Sequence, residues 1–220
     1  MADFSKNVFG NQDSYPAMNK GLNTVIDLML GDSVKFKLHA PPLIKEKTFK
    51  VFAINTYDFE SSTDTEFVLR GPSRTTIYMS IENNFDIVEI RLSVRLKYST
   101  VRTLFDENEL AEVIDNEDGL VEIHRLVDTD AVGSKLAEYA GWTAPKYYRQ
   151  AFGVRGYHHK DDFRYKTIPQ VKQNCAEFDY YCLVSSDEKH VVEIANYDDS
   201  EDVMLTFVTD EQIIEELSRA

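Results

Sequence analysis

The feature that most constrains the fold is a strict alternation of apolar and polar side chains over residues 90–98. The apolar positions are Ile90, Leu92, Val94, Leu96 and Tyr98, and the polar positions between them are Arg91, Ser93, Arg95 and Lys97. Successive side chains of a strand point to opposite faces of the sheet. The pattern therefore predicts an antiparallel strand with a buried apolar face and a solvent-exposed charged face.

Shorter segments with the same two-residue period recur at residues 34–38, 49–57, 65–69, 75–81, 180–184, 191–195 and 203–208. Helical periods occur at residues 16–30 and in segments that begin at Asp106 and Thr209. Asp106 and Glu109 have the spacing of a capping box. Hydrophobic residues make up 43% of the 220-residue chain, which is enough for a substantial core. These patterns predict the α+β class, with a mostly antiparallel sheet.

An internal repeat is also indicated. Residues 77–90 align with residues 181–194 without a gap, and residues 103–114 align with residues 206–217, which pairs Asp106 with Thr209 as helix caps. The shared order predicts two related sheet-plus-helix units, although common supersecondary motifs also produce such matches. We divide the chain into a loose N-terminal segment (1–15), a first unit (16–133), an irregular basic connecting region (134–173) and a second unit (174–220). One continuous domain is the alternative.

The charge of the chain is distributed unevenly. The formal net charge of −14 divides into −8 for residues 1–142, +5 for residues 143–173 and −11 for residues 174–220. The chain as a whole is expected to repel nucleic acid and anionic membranes, whereas the short basic segment is expected to attract acidic groups.

Targeting signals and cysteine usage predict a soluble cytoplasmic protein. No apolar run reaches the roughly 18 residues that a membrane-spanning helix needs, and the first six residues lack the apolar core of a secretory signal. The two cysteines, Cys175 and Cys182, match no metal-binding spacing. Buried free thiols are favoured over a disulfide, and we expect no cofactor.

Basic and aromatic residues interleave over residues 146–166. This mixture is typical of protein interfaces, and also of surfaces that stack bases and hold phosphates. A protein partner is favoured over nucleic acid because the whole chain is acidic. The alternative is that the aromatic residues lie in the core and the cations pair with the acidic C-terminal unit. The candidate partner-binding residues are Lys146, Tyr147, Tyr148, Arg149, Arg155, Tyr157, Lys160, Arg164, Tyr165 and Lys166.

No catalytic or metal-binding motif stands out. His158 and His159 stand beside two aspartates, but adjacent side chains on a strand point to opposite faces and do not ligate one ion. Glu89 and Arg91 resemble the acidic strand of metal-dependent nucleases, yet Arg stands where those enzymes place Lys. The exposed face of an amphipathic strand explains both residues. We expect no catalytic residues and no metal.

Three segments resemble the YjfK-like family of uncharacterised bacterial proteins. They are Phe-Ser-Lys-Asn-Val-Phe-Gly at residues 4–10, the Gly21-Leu22 helix before the first strand, and Phe-Asp-Tyr-Tyr at residues 178–181. The resemblance covers nearly the whole chain. Genes of that family tend to lie beside relatives of phage shock protein A, a peripheral membrane-remodelling protein. The resemblance thus implies an accessory or partner-binding role and carries over no catalytic residues.

These features together predict a non-enzymatic binding or assembly protein, accessory to a bacterial membrane-stress or membrane-remodelling system. A relative of phage shock protein A is the expected partner, with peripheral membrane contact. The alternative is a hydrolase whose site is assembled from residues distant in sequence. A deep pocket lined by His158 or His159 and several carboxylates would favour the hydrolase, and a flat basic aromatic surface would favour the binding protein.

Overall fold

The computed structural model describes residue 22 and residues 24–84, 87–118, 121–169 and 174–220. The strands of this part are β1 (Ser33–Phe36), β2 (Thr48–Phe59), β3 (Thr63–Arg70), β4 (Thr76–Asn84), β5 (Ile87–Arg95), β6 (Glu122–His124), β7 (Lys146–His159), β8 (Cys175–Ser185), β9 (His190–Tyr197), β10 (Ser200–Asp210) and β11 (Ile214–Ser218). Its α-helices are α1 (Tyr98–Leu104) and α2 (Glu107–Asp115). Short 3-10 turns lie at Val25–Asp27, Pro72–Arg74, Ala137–Tyr139 and Glu211–Ile213.

All eleven strands belong to one antiparallel sheet, in the order β11-β1-β2-β3-β4-β5-β10-β9-β8-β7-β6. The sheet also closes on itself, because residues 56–59 of β2 pair with residues 156–159 of β7. Eight strands therefore form a closed ring in the order β2, β3, β4, β5, β10, β9, β8 and β7. The beginning of β2 pairs with β1 instead, so β1 and β11 extend outside the ring.

The alternation in β5 decides which side chains face the inside of the ring. Arg91 and Ser93 line a cavity that also takes side chains from the other seven strands of the ring. Ile90 and Leu92, at the intervening positions, are fully buried in the apolar cluster. The polar face of β5 therefore points inward and its apolar face points outward. Arg91 and Ser93 are thus shielded from bulk solvent, in contrast to the predicted exposed charged face, whereas Arg95 at the end of the strand is exposed.

Segments outside the ring cover its apolar outer face. On one side the Phe105 ring contacts Tyr147 with centroids 6.0 Å apart, and the fully buried Trp142 contacts Phe207 at 6.5 Å. On the other side β1 and Ile213 join the same apolar cluster. Burying one large apolar side chain stabilises a fold by roughly 1.5–3 kcal/mol. The segments that cover the ring therefore contribute much of the hydrophobic stabilisation.

The prediction of an α+β fold is wrong. The structure is a β-rich fold, and the α-helices in its described part are only seven and nine residues long. The helix predicted from Thr209 is absent: Thr209 pairs with Ile90 as part of β10, and a 3-10 turn and β11 follow. The related sheet-plus-helix units are therefore not found, because α1 and α2 follow β5 whereas a further strand follows β9.

The helix predicted from Asp106 is confirmed. The Asp106 carboxylate accepts hydrogen bonds from the backbone N–H groups of Asn108 (2.8 Å) and Glu109 (3.3 Å), and Leu110 and Val113 are buried. The Glu109 side chain does not complete a capping box. Its carboxylate accepts the backbone N–H of His124 at 2.7 Å and so ties α2 to β6.

Residues 16–21 and 23 of the helix predicted at residues 16–30 lie outside the described residues, and the described rest of this segment shows a 3-10 turn at Val25–Asp27. The loose segment predicted at residues 1–15 lies wholly outside them. No helix in the described part of the chain is long and apolar enough to cross a membrane.

Closure of the ring depends on a glycine. A Cβ atom at Gly156 would lie 2.5 Å from the ring of Phe178 and 2.8 Å from that of Phe59. Gly156→Ala would force these rings apart, so we expect the free energy of unfolding to fall by about 1–3 kcal/mol in urea denaturation. Arg155→Ala, a change at the exposed neighbouring position, should cost less than about 1 kcal/mol. Equal losses in both variants would contradict this role of Gly156.

Candidate functional site

The inside of the closed ring contains a cavity of about 360 Å³. All eight strands of the ring contribute to its wall, and the turn between β2 and β3 borders it. An eight-stranded ring is either filled by its own side chains or leaves room for one small ligand. The lining residues used below are Tyr57, Phe59, Asp64, Glu66, Tyr78, Glu82, Arg91, Ser93, Phe178, Tyr180, Cys182, Glu193, Ala195 and Asp202.

The cavity opens at one end of the ring. Several lining residues are exposed to solvent and mark this opening, namely Ser61, Ser62, Asp64, Glu82, Gln150 and Val154. Others, including Glu66 and Phe178, are buried. The cavity thus extends from a polar rim into a buried interior.

An ion pair between Arg91 and Glu193 crosses the wall from β5 to β9, with Nη2 and Oε1 3.1 Å apart. The Glu193 carboxylate also accepts the hydroxyl of Tyr180 at 2.7 Å and the hydroxyl of Thr206. Burial works to raise the pKa of Glu193, but Arg91 and these hydroxyls outweigh it and hold the pKa below its usual range. Burial likewise opposes the charge of Arg91, yet the attraction of Glu193 keeps its pKa above the ordinary value. Both groups stay charged at neutral pH.

Glu66 on β3 is held by neutral hydrogen-bond donors, unlike Glu193 with its ion pair. Its side chain accepts hydrogen bonds from Asn55 Nδ2 at 2.8 Å and from the Tyr57 hydroxyl at 3.2 Å. The residue is only 5% exposed, and it forms no ion pair with the described residues. Burial raises its pKa to about 7, and the two hydrogen bonds oppose this only in part. Glu66 is therefore a carboxyl that takes up or loses a proton near neutral pH.

Aromatic rings form one side of the cavity. Phe178 lies edge-on to Tyr57 at 5.6 Å and to Phe59 at 5.8 Å, and Phe59 lies 5.8 Å from Tyr180. Edge-to-face packing of this kind fixes ring positions. Since Gly156 has no side chain, Phe59 and Phe178 can meet across β7.

The thiol that lines the cavity is not a nucleophile at neutral pH. Cys175 and Cys182 are both free, and of the two thiols predicted to be buried, Cys182 is buried and Cys175 is half-buried. Cys182 lines the cavity, and burial raises its pKa to about 11. The reactive form of cysteine is the thiolate, so Cys182 is unreactive at neutral pH.

The two histidines do not line the cavity. His158 stacks on Tyr57 with centroids 4.7 Å apart, and burial lowers its pKa to about 4. His159 lies on the other face of β7 and contacts the ring of Phe163 at 5.3 Å. The described residues include no group of three or more His, Cys, Asp and Glu side chains that could hold a metal ion.

The basic segment at residues 146–166 is largely engaged with its own chain. Lys146 pairs with Glu122 at 2.5 Å, Arg155 pairs with Glu177 at 3.1 Å, and Arg164 pairs with Asp162 at 2.7 Å. Arg149 donates to the backbone oxygens of Asn116 and Glu117, and Arg164 also donates to that of Ile26 at 3.0 Å. Glu177 belongs to the acidic C-terminal part, whereas the other contacts lie elsewhere in the chain.

The aromatic residues of this segment differ in exposure. Tyr147 is fully buried, Tyr148 and Tyr157 are half-buried, and Tyr165 is 59% exposed. Lys160 and Lys166 are exposed. The ten residues thus do not share one exposed face, and their role in binding a partner stays a prediction.

The sequence interpretation missed the cavity residues. Arg91 was assigned to the exposed face of an amphipathic strand, but its side chain is only 18% exposed and faces the cavity. One signal was present in β4, where Tyr78 stands on the same face of the strand as the polar residues Thr76, Ser80 and Glu82. A large aromatic residue in a polar row indicates that the row is shielded from water.

Comparison with known proteins adds no assignment. No family model, curated protein or solved structure matches this chain. The geometry of the cavity is therefore the basis of the function proposed below.

The Arg91–Glu193 pair should be a major source of stability. Glu193→Gln leaves a largely buried guanidinium without its main partner, so we expect a loss of about 3 kcal/mol in the free energy of unfolding. Glu82 also contacts Arg91, at 3.6 Å, but its side chain is 47% exposed. Glu82→Gln should cost less than about 1 kcal/mol. Chemical denaturation of both variants measures these losses. Comparable losses of unfolding free energy would contradict the prediction that Glu193 stabilises the fold more than Glu82 does.

Glu66 should make stability depend on pH. Because its folded-state pKa is raised from 4.5 to about 7, its contribution is fully present below about pH 4.5 and is lost as the pH rises through about 7. Gln resembles the protonated carboxyl, so Glu66→Gln should remove this loss. We expect the melting temperature of the variant, relative to wild type, to increase between about pH 5 and pH 8. Glu60→Gln, in the exposed turn after β2, is the control. If the melting temperature of Glu66→Gln relative to wild type does not change with pH, the raised pKa of Glu66 is refuted.

Proposed function

We propose that this chain is a non-enzymatic binding protein that holds a small molecule inside its closed sheet. The observation that carries the proposal is the cavity of about 360 Å³ with a wall built by all eight strands of the ring. This volume lies within the roughly 300–1,000 Å³ of typical small-molecule sites. Fixed aromatic rings beside a few oriented polar groups are also typical of such sites.

The inward-facing polar residues support this proposal. A ring that served only as a scaffold would bury its apolar face inside, where apolar side chains fill the space. Here the apolar face packs outward against other segments, while charged and aromatic groups surround the cavity. Burying charged groups is costly, so their retention around an open space favours a role in recognition.

The alternative of a hydrolase is favoured by one observation. Two cavity carboxylates have pKa values shifted in opposite directions, Glu66 upward and Glu193 downward, as in many acid–base pairs. However, the Glu193 oxygens already accept from Arg91, Tyr180 and Thr206, so Glu193 is poorly placed to take a proton. The histidines that would have favoured an enzyme also lie outside the cavity lining. We therefore favour binding without catalysis.

The cellular location, the protein partner and the cellular role also belong to the proposal. A cytoplasmic location, a protein partner on residues 146–166 and a link to membrane stress are predictions from the sequence. Ion pairs within the chain use several cations of that segment, so a partner would meet fewer unpaired charges than the sequence suggests.

Filling the cavity should abolish binding. Ala195 on β9 lines the cavity, and Ala195→Trp would occupy much of its space. We expect wild-type protein purified from its own cells to release a small molecule on denaturation, detected by mass spectrometry, and Ala195→Trp to release none. Ala111→Trp, on the exposed side of α2, is the matched control and should behave like wild type. Equal release from wild type and Ala195→Trp would place the ligand elsewhere and contradict the proposal.

A further inference from the structure

The cavity lining carries more negative than positive charge. Its carboxylates are Asp64, Glu66, Glu82, Glu193 and Asp202, whereas Arg91 is the one guanidinium among the lining residues. Glu193 pairs with Arg91 at 3.1 Å, and Asp202 pairs with Arg95 at 3.1 Å. Glu82 has only a 3.6 Å contact with the already paired Arg91. Asp64 and Glu66 form no ion pair with the described residues. The wall therefore has an excess of negative charge that the chain itself does not neutralise.

Glu66 is the carboxylate best placed to meet a ligand in the interior. It is buried, and hydrogen bonds from Asn55 and Tyr57 fix its orientation. Neither of these neutral donors cancels its charge. Arg95 attracts Glu66, but it forms its ion pair with Asp202 and does not outweigh the burial that raises the pKa of Glu66. A buried carboxylate without an ion-pair partner is costly to ionise. A ligand that brought a positive charge to Glu66 would reduce this cost.

The aromatic wall is suited to a positively charged ligand with an apolar body. Ring faces attract cations, and rings also pack well against apolar groups. The chain shows this contact with one of its own cations, since the Arg95 guanidinium lies 5.4 Å from the Tyr78 ring. Phe59, Phe178 and Tyr180 also line the cavity. These three rings are thus placed to contact a ligand.

The arrangement of the carboxylates does not suit a metal ion. Asp64 and Glu66 lie on β3, Glu82 on β4, Glu193 on β9 and Asp202 on β10. Ca²⁺ and Mg²⁺ need about six or more oxygen ligands converging at about 2.0–2.6 Å. No three acidic, His or Cys side chains in the described residues come close enough for this. A larger cation with one charged group and an extended body fits the dispersed charge better.

We propose that the ligand of this cavity is an organic cation, with an ammonium or similar group against Glu66 and an apolar body on Phe59 and Phe178. The inference rests on the function proposed above and adds the charge and chemical class of the ligand. Asp64 and Glu82, at the opening, attract the same cation before it enters.

Three compounds that share a phenylbutyl body and differ in charge test the inference. They are 4-phenylbutan-1-amine (a cation at pH 7), 4-phenylbutan-1-ol (neutral) and 5-phenylpentanoate (an anion), titrated into the full chain by calorimetry. Truncating a buried charge contact usually costs more than tenfold in affinity. We therefore expect the amine to bind at least about tenfold more tightly than the alcohol, and the anion to bind most weakly.

Variants locate the charge contact. Glu66→Gln should reduce the affinity for the amine about tenfold or more and leave the affinity for the alcohol unchanged. Glu60→Gln, an acid outside the cavity lining, should alter neither affinity. Asp64→Asn should weaken amine binding less than Glu66→Gln, because Asp64 is exposed. Matching far-UV circular dichroism spectra and a cooperative melting transition for each variant serve as the check on folding, because Glu66→Gln is itself expected to shift the melting temperature at pH 7.

Proton release gives a second readout. The titratable and charged groups that act on Glu66 from the surrounding strands are Tyr57, Tyr78, Arg95, Glu193 and Tyr197. The pKa values of these tyrosines lie above the usual value and that of Glu193 below it, so Glu66 is the group among them that titrates near pH 7. A cation against Glu66 favours its ionised form. Calorimetry in buffers of different ionisation enthalpy should detect a proton released by wild type and none by Glu66→Gln.

The outcomes separate this inference from the proposed function. If the alcohol or the anion binds as tightly as the amine, and Ala195→Trp abolishes that binding, the cavity is a ligand site and the inference about charge is wrong. If the amine binds equally well to Glu66→Gln, the assignment of Glu66 is wrong. If none of the three compounds binds, the inference is overturned, and the small molecule released from the purified protein decides the proposed function independently.

Discussion

Backbone pairing between residues 56–59 of β2 and residues 156–159 of β7 turns an open sheet into a ring. Without this pairing, the polar faces of β3, β4, β5 and β9 would line an open trough, and their charged groups would remain in water. Contacts on both sides support the junction. Gly156 lets Phe59 and Phe178 meet across β7, and the Thr56 side chain bonds to Asp161 O and Phe163 N at 2.9 and 3.1 Å. Arg164 of that same loop then reaches the backbone oxygen of Ile26.

Closure of the ring changes the environment of every polar side chain on its inner face. Inside a ring, a charged group loses much of its hydration and needs a partner. Arg91 and Glu193 satisfy each other, with Tyr180 and Thr206 completing the hydrogen bonds. Glu66 has neutral donors only, and its pKa is raised to about 7 as a result of burial. The cavity wall therefore carries more carboxylates than cations to pair with them.

Individual strands and helix caps follow from the sequence more directly than their assembly does. The strand period of β5 and the cap at Asp106 were predicted correctly, because alternation and capping are local properties. The predicted end of the strand was wrong, since β5 ends at Arg95 and Tyr98 begins α1. The helix from Thr209 was wrong, although its apolar spacing is helical. Residues 203–210 continue as β10 beside β5 and β9, and Ile213 and β11 then pack against β1 and the apolar cluster. Tertiary pairing overrode the local helical pattern, as it often does for short segments.

The sequence by itself determined the period of the strands, the acidic net charge and the presence of aromatic residues among the polar positions of the strands. It could not determine which face of those strands lies inside, since alternation looks the same whether the polar face meets solvent or a cavity. That choice was made by the pairing of β2 with β7, which are separated by almost a hundred residues, and by the segments that cover the outer face. Glu66, Arg91 and Glu193 come together only because the ring closes. The physical reason is that contacts between distant segments, unlike the two-residue period of a strand, leave no local pattern in the sequence.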